Sequence, residues 1–308
     1  MVAVEQTPIE RALISLEGLS VGDAFGEQFF VDEGYALAAI HKRVVATPPE
    51  DFVWSYTDDT NMALSIYSSL KQFNKIEQDW LAQSFAQHYE HDRGYGVGMY
   101  RLLKAIKAGR HWKQGAKDLF YGEGSYGNGA AMRVAPVGAF FADDLALVVE
   151  QARLSAEVTH AHQEGIAGAI GIAVGTALAC QWATCGKEPD KVAFLTQILE
   201  LMPESEVKLG VETALRLPDA TGVDEAVQIL GNGTEITAQD TVPFALWCAA
   251  KHLGNYKNAL WYTVSGLGDR DTTCAMVGGI VSCYTGIKGI PEDWREYREP
   301  LPAWAFKG

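Results

Sequence analysis

Apolar side chains recur mostly at three- and four-residue intervals along this chain, the spacing of one face of an α-helix. Thr7-Pro8 marks a helix start with proline in the first turn, and Ile9, Leu13, Leu16 and Leu19 follow on one face. A second helix begins at Thr57 or Asp58 and carries Met62, Ala63, Ile66 and Leu70. The same reading predicts helices over 76–90, 97–108, 144–158, 164–182, 190–201, 204–216, 222–230, 240–252, 255–265 and 272–285, with Gly and Pro marking many of the gaps. Strand-like alternation is rare, and Lys42–Thr47 is its best instance. Glycines crowd 165–175 and 278–279, which permits close approach of helix backbones. No linker, internal repeat or low-complexity stretch interrupts the pattern. It predicts an all-α fold, with residues 1–308 forming a single compact multi-helix domain.

Composition narrows the function classes. Of the 308 residues, 48% are hydrophobic and 21% charged, and the formal net charge is -14. A chain this acidic offers no basic stripe to follow a nucleic-acid backbone. The five cysteines form no C-x-x-C pair and suggest no disulfide framework, which fits a reducing cytoplasm. Glu5 and Glu10 stand where a secretion signal would carry a basic and then an apolar segment. The apolar run Ile166–Cys180 is too short to span a bilayer and reads as a buried helix, so no membrane partner is expected.

The chemistry concentrates in two acidic cassettes far apart in the chain, Thr57-Asp58-Asp59-Thr60 and Asp269-Arg270-Asp271-Thr272-Thr273, each followed by small and apolar residues. A lone Asp at a helix start reads as an N-cap. Adjacent side chains on a helix diverge by about 100°, so Asp58 and Asp59 cannot both cap. Carboxylates entering a buried segment are costly unless neutralised, and a shared cation is the simplest neutraliser. Four carboxylates with two hydroxyls form a hard oxygen donor set suited to Mg²⁺ or Mn²⁺, with ligand distances of about 2.1 Å. Zinc fits less well, because no H-E-x-x-H or cysteine cluster is present.

Three further features are weaker alone. The segment Gly122–Arg133 is dense in glycine, so its amides are able to approach a ligand, yet it matches neither the dinucleotide nor the Walker pattern and equally suits a tight interhelical loop. Gly22-Asp23-Ala24-Phe25-Gly26-Glu27 reads as a turn ending the first helix, with Asp23 capping or pairing and Glu27 able to face a site. Asp92, in His91-Asp92-Arg93-Gly94, has a solvated carboxylate as its plain reading. His160 and His162 would point apart on a helix, one core-lining and one exposed.

In order, Gly-Asp-Ala, Thr-Asp-Asp-Thr, Ser-Tyr-Gly-Asn-Gly-Ala-Ala-Met-Arg, Thr-His and Asp-x-Asp-Thr closely resemble the motifs of the ADP-ribosylglycohydrolase family, from about Ile9 to about Gly286. The resemblance implies an all-α hydrolase with two divalent cations, Mg²⁺ or Mn²⁺, at the base of an ADP-ribose cleft. It implies Thr57, Asp58 and Asp59 as metal ligands from one side and Asp269, Asp271 and Thr272 from the other. Ser125, Tyr126, Gly127, Asn128 and Gly129 would line the cleft, and His160 matches a position near the ligand. The implied reaction cleaves the bond between ADP-ribose and an acceptor, a protein side chain or a small molecule, with Asp59, Asp92 or Glu27 handling water and proton. Two positions depart from the family pattern: Phe30 stands where many relatives place a glutamate, and Arg270 where threonine is common. The competing reading is a non-catalytic ADP-ribose binder or a crystallin-like structural member. The acceptor and the oligomeric state are not written in these residues.

Overall fold

The computed structural model describes residues 6–44 and 53–307, and its described residues form sixteen α-helices, short 3-10 turns and no strand. The helices are α1 (Pro8–Glu27), α2 (Glu33–Lys42), α3 (Asp58–Phe73), α4 (Gln78–Gln87), α5 (Val97–Lys107), α6 (Trp112–Asp118), α7 (Ala135–Phe140) and α8 (Leu145–Glu157). They continue as α9 (Gln163–Cys185), α10 (Lys191–Leu199), α11 (Glu206–Arg216), α12 (Val223–Leu230), α13 (Ala238–Lys251), α14 (Tyr256–Val264), α15 (Arg270–Thr285) and α16 (Glu292–Tyr297). Every helix expected from apolar spacing is present within a few residues. α2, α6, α7 and α16 were not expected; each is short, and α7 is buried on every side, so none shows a long amphipathic stripe.

α1 begins with a capping box: Thr7 accepts from the Glu10 amide while Glu10 accepts from the Thr7 amide, with Pro8 in the first turn. It does not end at Gly22. Gly18, Gly22 and Gly26 recur every fourth residue, and the backbone of α15 lies against all three. A Cβ on Gly22 would sit 2.2 Å from the Cys274 carbonyl oxygen, and one on Gly26 would sit 2.3 Å from that of Arg270. These glycines permit helix contact instead of a turn, so Asp23 and Glu27 project from a continuous helix pressed against the start of α15.

α9 is apolar all round, as a helix through the centre of a bundle should be. By length and composition it is able to cross a membrane, but it is buried inside the protein. Gly186, in the left-handed region at φ 66°, closes it. The expected strand at Lys42–Thr47 is not found in its described part: Lys42 ends α2, and Arg43 caps it at φ 50°. Residues 45–47 lie outside the described residues.

An aromatic cluster fixes the approach to α3. Phe25 stacks on Trp294 at 4.5 Å and meets Trp261 edge-on at 5.0 Å, while Trp54 packs beside both Phe25 and Trp294. Trp54 also pairs with the Arg298 region through backbone bonds from the Trp54 amide to Tyr297 (2.7 Å) and from the Glu299 amide to Trp54 (3.0 Å). The segment leading into the first acidic cassette is thereby held against the end of α1.

Candidate metal centre and ligand cleft

The helix-start problem at Asp58-Asp59 is solved by a residue from another helix. Asp23 of α1 accepts from the Thr57 amide (3.0 Å), the Thr57 hydroxyl (2.9 Å), the Thr60 amide (3.0 Å) and the Thr60 hydroxyl (2.5 Å). It caps α3 from outside, which releases Asp58 and Asp59 from capping. Asp58 lines the cleft, and Asp59 is buried behind it.

The second cassette meets the first there. Asp269 stands at the position before α15 without a side-chain capping bond, and Asp271 and Thr272 lie in the first turn of that helix. The Thr272 hydroxyl reaches Asp59 Oδ2 at 3.4 Å, and Thr57 Oγ1 lies 2.9 Å from the same oxygen. Asp23, Asp59 and Asp271 each bring a carboxylate oxygen within 4.8 Å of the others. Asp59 Oδ1 and Asp271 Oδ1 are buried and have no hydrogen-bond partner among the described residues. Orphaned anionic oxygens converging from two helices are what a divalent cation with oxygen ligands requires, so the donor set fits Mg²⁺ or Mn²⁺.

Electrostatics agree. Burial, then the charge of Asp271, pushes Asp23 up to about 7 and Asp269 up to about 8, in spite of the donors each receives. Burial, followed by the neighbouring aspartates, holds Asp58 and Asp59 well above the usual carboxylate range. Glu27 rises to about 7 through burial and then Asp271. These carboxyls repel one another, and a bound cation would reverse the shifts.

A raised carboxyl pKa contributes stability below its unfolded value that is lost as pH rises through the folded value. With Asp23 near 7 and Asp269 near 8, the EDTA-treated protein should therefore melt several degrees lower at pH 8.5 than at pH 5.5. Millimolar Mg²⁺ or Mn²⁺ should restore the melting temperature at pH 8.5. Thermal melts at both pH values check this; a flat profile with no response to either cation would contradict it.

The floor of a cleft of ≈ 1000 Å³ carries Asp58, Asp269, Asp271 and Thr272 together with Ser125, Tyr126, Gly127, Asn128, Gly129 and His160. Asn128 joins loop to cassette: its amide nitrogen donates to Asp269 Oδ2 (2.6 Å) and Thr241 Oγ1 (3.1 Å). The outer wall includes Phe120, Tyr121 and Ile236, non-glycine residues in the left-handed region at φ 50°, 62° and 56°. Strain of this kind gathers at ligand sites, and no local sequence signal announced it. A second concavity, between α1 and α16, holds none of the sequence motifs.

Thr57 is buried behind the cleft. Glu27 is half-buried, one turn beyond Asp23 on α1, and its carboxylate has no hydrogen-bond or ion-pair partner among the described residues. Asp92 is exposed in the 3-10 turn His91–Arg93 and is absent from the cleft lining. His160 and His162 lie before α9 rather than on a helix; His160 is buried beside the glycine loop, and half-buried His162 caps α9 by accepting from the Glu164 amide (3.1 Å). Arg270 pairs with no carboxylate among the described residues and does not turn fully outward. It donates to the Phe29 carbonyl and lies over the Phe30 ring at 5.0 Å, so the two departures from the family pattern touch each other.

The family model described as ADP-ribosylglycohydrolase matches residues 4–305. ADP-ribosylhydrolase ARH3 of Mus musculus is 31% identical over 94% of this chain and 87% of its own length, and that of Homo sapiens is 31% identical over 91% and 87%. ADP-ribosylarginine hydrolase Tri1 of Pseudomonas putida is 25% identical over 94% of this chain and 74% of its own. A solved structure titled ADP-ribosylglycohydrolase-related protein complex shares the fold, with a TM-score of 0.66 at 23% identity over 95% of this chain and 93% of that one. By sequence over nearly its whole length, this chain belongs to the ADP-ribosylglycohydrolase family.

Proposed function

We propose that the protein hydrolyses the glycosidic bond between ADP-ribose and an acceptor, a protein side chain or a small molecule, with two Mg²⁺ or Mn²⁺ ions on the cleft floor. The observation that carries this reading is the meeting of the two acidic cassettes with two buried carboxylate oxygens left unpartnered. Thr57, Asp58 and Asp59 would hold the ions from α3, with Asp269, Asp271 and Thr272 opposite. Ions bound there would supply Lewis-acid polarisation and cancel the carboxylate charge. The hydrolase names of the relatives support the same class of reaction.

The remaining residues have parts that follow from their positions. The Ser125–Gly129 loop lines the cleft, and its glycines allow close approach of phosphate oxygens. Phe120 and Tyr126, ring centroids 5.7 Å apart at the outer cleft, offer aromatic faces to a base. Asn128 holds Asp269 in place. Glu27, half-buried, partner-free among the described residues and raised by burial and then by the charge of Asp271, is the candidate we assign to take a proton from water, although it, like Asp92, is not among the residues that line the cleft. Asp59 meets Thr57 and Thr272 through Oδ2 and is assigned to the ions, and Asp92 is exposed on a 3-10 turn. We place the whole chain, 1–308, in one catalytic domain and in a reducing compartment such as the cytoplasm; its five cysteines are free thiols.

The competing reading, a binder without turnover, draws on Phe30 in place of a family glutamate. Incubation with ADP-ribosylated arginine, ADP-ribosylated serine and O-acetyl-ADP-ribose, followed by chromatography of free ADP-ribose, separates the two. Release from at least one acceptor class, abolished by EDTA, is expected. Tight calorimetric binding of ADP-ribose with no release from any acceptor would establish the binder instead.

A further inference from the structure

Arg133 closes the glycine-rich segment and is fully buried, with no carboxylate partner among the described residues. Its guanidinium lies 4.5 Å over the Phe85 ring and donates to the Ser155 carbonyl (3.0 Å) and to Thr159 Oγ1 (2.8 Å). A guanidinium has donors only, so Thr159 must accept from it. Thr159 is itself fully buried, and its hydroxyl has one other hydrogen-bond partner among the described residues, His160 Nδ1 at 2.7 Å.

We infer that Thr159, held by Arg133, fixes His160 as the neutral tautomer with its proton on Nε2, making the ring a permanent hydrogen-bond donor to a ligand oxygen on the glycine loop. If Nδ1 carried the proton, Thr159 Oγ1 would take two donors and its own proton would have no acceptor among the described residues, a costly omission in a dry position. Proton placement on one ring nitrogen is set by the bond the other makes. Nε2 faces the cleft loop: a Cβ on Gly129 would lie 3.0 Å from it and one on Gly127 3.4 Å, and it has no hydrogen-bond partner among the described residues. Burial, and then the charge of Arg133, hold the ring neutral, with its pKa lowered to about 3. Such a ring selects a ligand group that presents a lone pair, a phosphoryl or hydroxyl oxygen, and penalises one that presents only a donor. Thr159 and Arg133 are positioning residues; His160 is the group that touches ligand. The ligand half of this inference rests on the ADP-ribose reading above, while the tautomer does not.

Nitrogen NMR of the free, full-length protein labelled with ¹⁵N-histidine tests the tautomer, with a His160→Asn variant for assignment. A protonated Nε2 and a bare Nδ1 between pH 5.5 and pH 8.5 are expected; a protonated Nδ1, or an even mixture of tautomers, overturns the inference. Thr159→Val should then mix the tautomers and weaken calorimetric ADP-ribose binding about tenfold. Thr159→Ser, which keeps the hydroxyl, should restore both the single tautomer and the affinity. Equal affinity in the Val variant despite mixed tautomers overturns the ligand role. The expected tautomer in a wild-type protein that does not bind ADP-ribose overturns the functional reading and supports the tautomer assignment.

Discussion

Asp271→Asn should lower ADP-ribose release by about 10³-fold while raising the melting temperature of the metal-free protein. After burial, the charge of Asp271 contributes to raising Asp23, Asp58, Asp59, Asp269 and Glu27. Removing that charge relieves repulsion in a buried cluster, so the empty protein gains stability at neutral and alkaline pH. The same substitution takes an orphaned anionic oxygen from the cation site. A catalytic cation contributes several kcal/mol of transition-state stabilisation, and each 1.36 kcal/mol is tenfold in rate. Opposite movement of activity and stability is the mark of carboxylates placed for a ligand. Steady-state assays and thermal melts of EDTA-treated protein read the two effects. A variant that loses stability along with activity would show Asp271 to be a structural residue.

Glu27→Gln should lower kcat by about 10²-fold or more with KM and ADP-ribose affinity little changed, the size expected for loss of a general base. Glu27 follows Asp23 by one helical turn and so shares its face of α1, and its carboxylate has no other partner to serve. Glutamine keeps the volume and removes the proton acceptor. Asp92→Asn, on an exposed turn outside the cleft lining, should stay within about threefold of wild type, as surface substitutions usually do. The reverse ranking, with Asp92 essential and Glu27 dispensable, would relocate the base.

The helices were legible because burial leaves a periodic trace. Met62, Ala63, Ile66 and Leu70 mark the inner face of α3, and the apolar run 166–180 marks α9. α7 left no such trace, being six residues long and buried on all sides. Glycines 22 and 26 misled because local rules read glycine as a terminator, whereas the deciding contact is the α15 backbone, far along the chain. The same limit governs the site. Both acidic cassettes stood out as carboxylates beside apolar runs, but the capping of α3 by Asp23 and the Arg133–Thr159–His160 chain join residues that no spacing rule connects. Glu27 and Asp92 look equivalent in the sequence. They differ in burial, Glu27 being half-buried within reach of the charge of Asp271 and Asp92 exposed, which only the fold decides.

The central claim is that the two cassettes form one cation site. The most direct test is anomalous diffraction at the manganese edge from crystals grown with Mn²⁺ and ADP-ribose. Two manganese peaks between Asp58-Asp59 and Asp269-Asp271, with ADP-ribose against Ser125–Gly129, are predicted; no peak between the cassettes, or manganese bound only elsewhere, would contradict the claim.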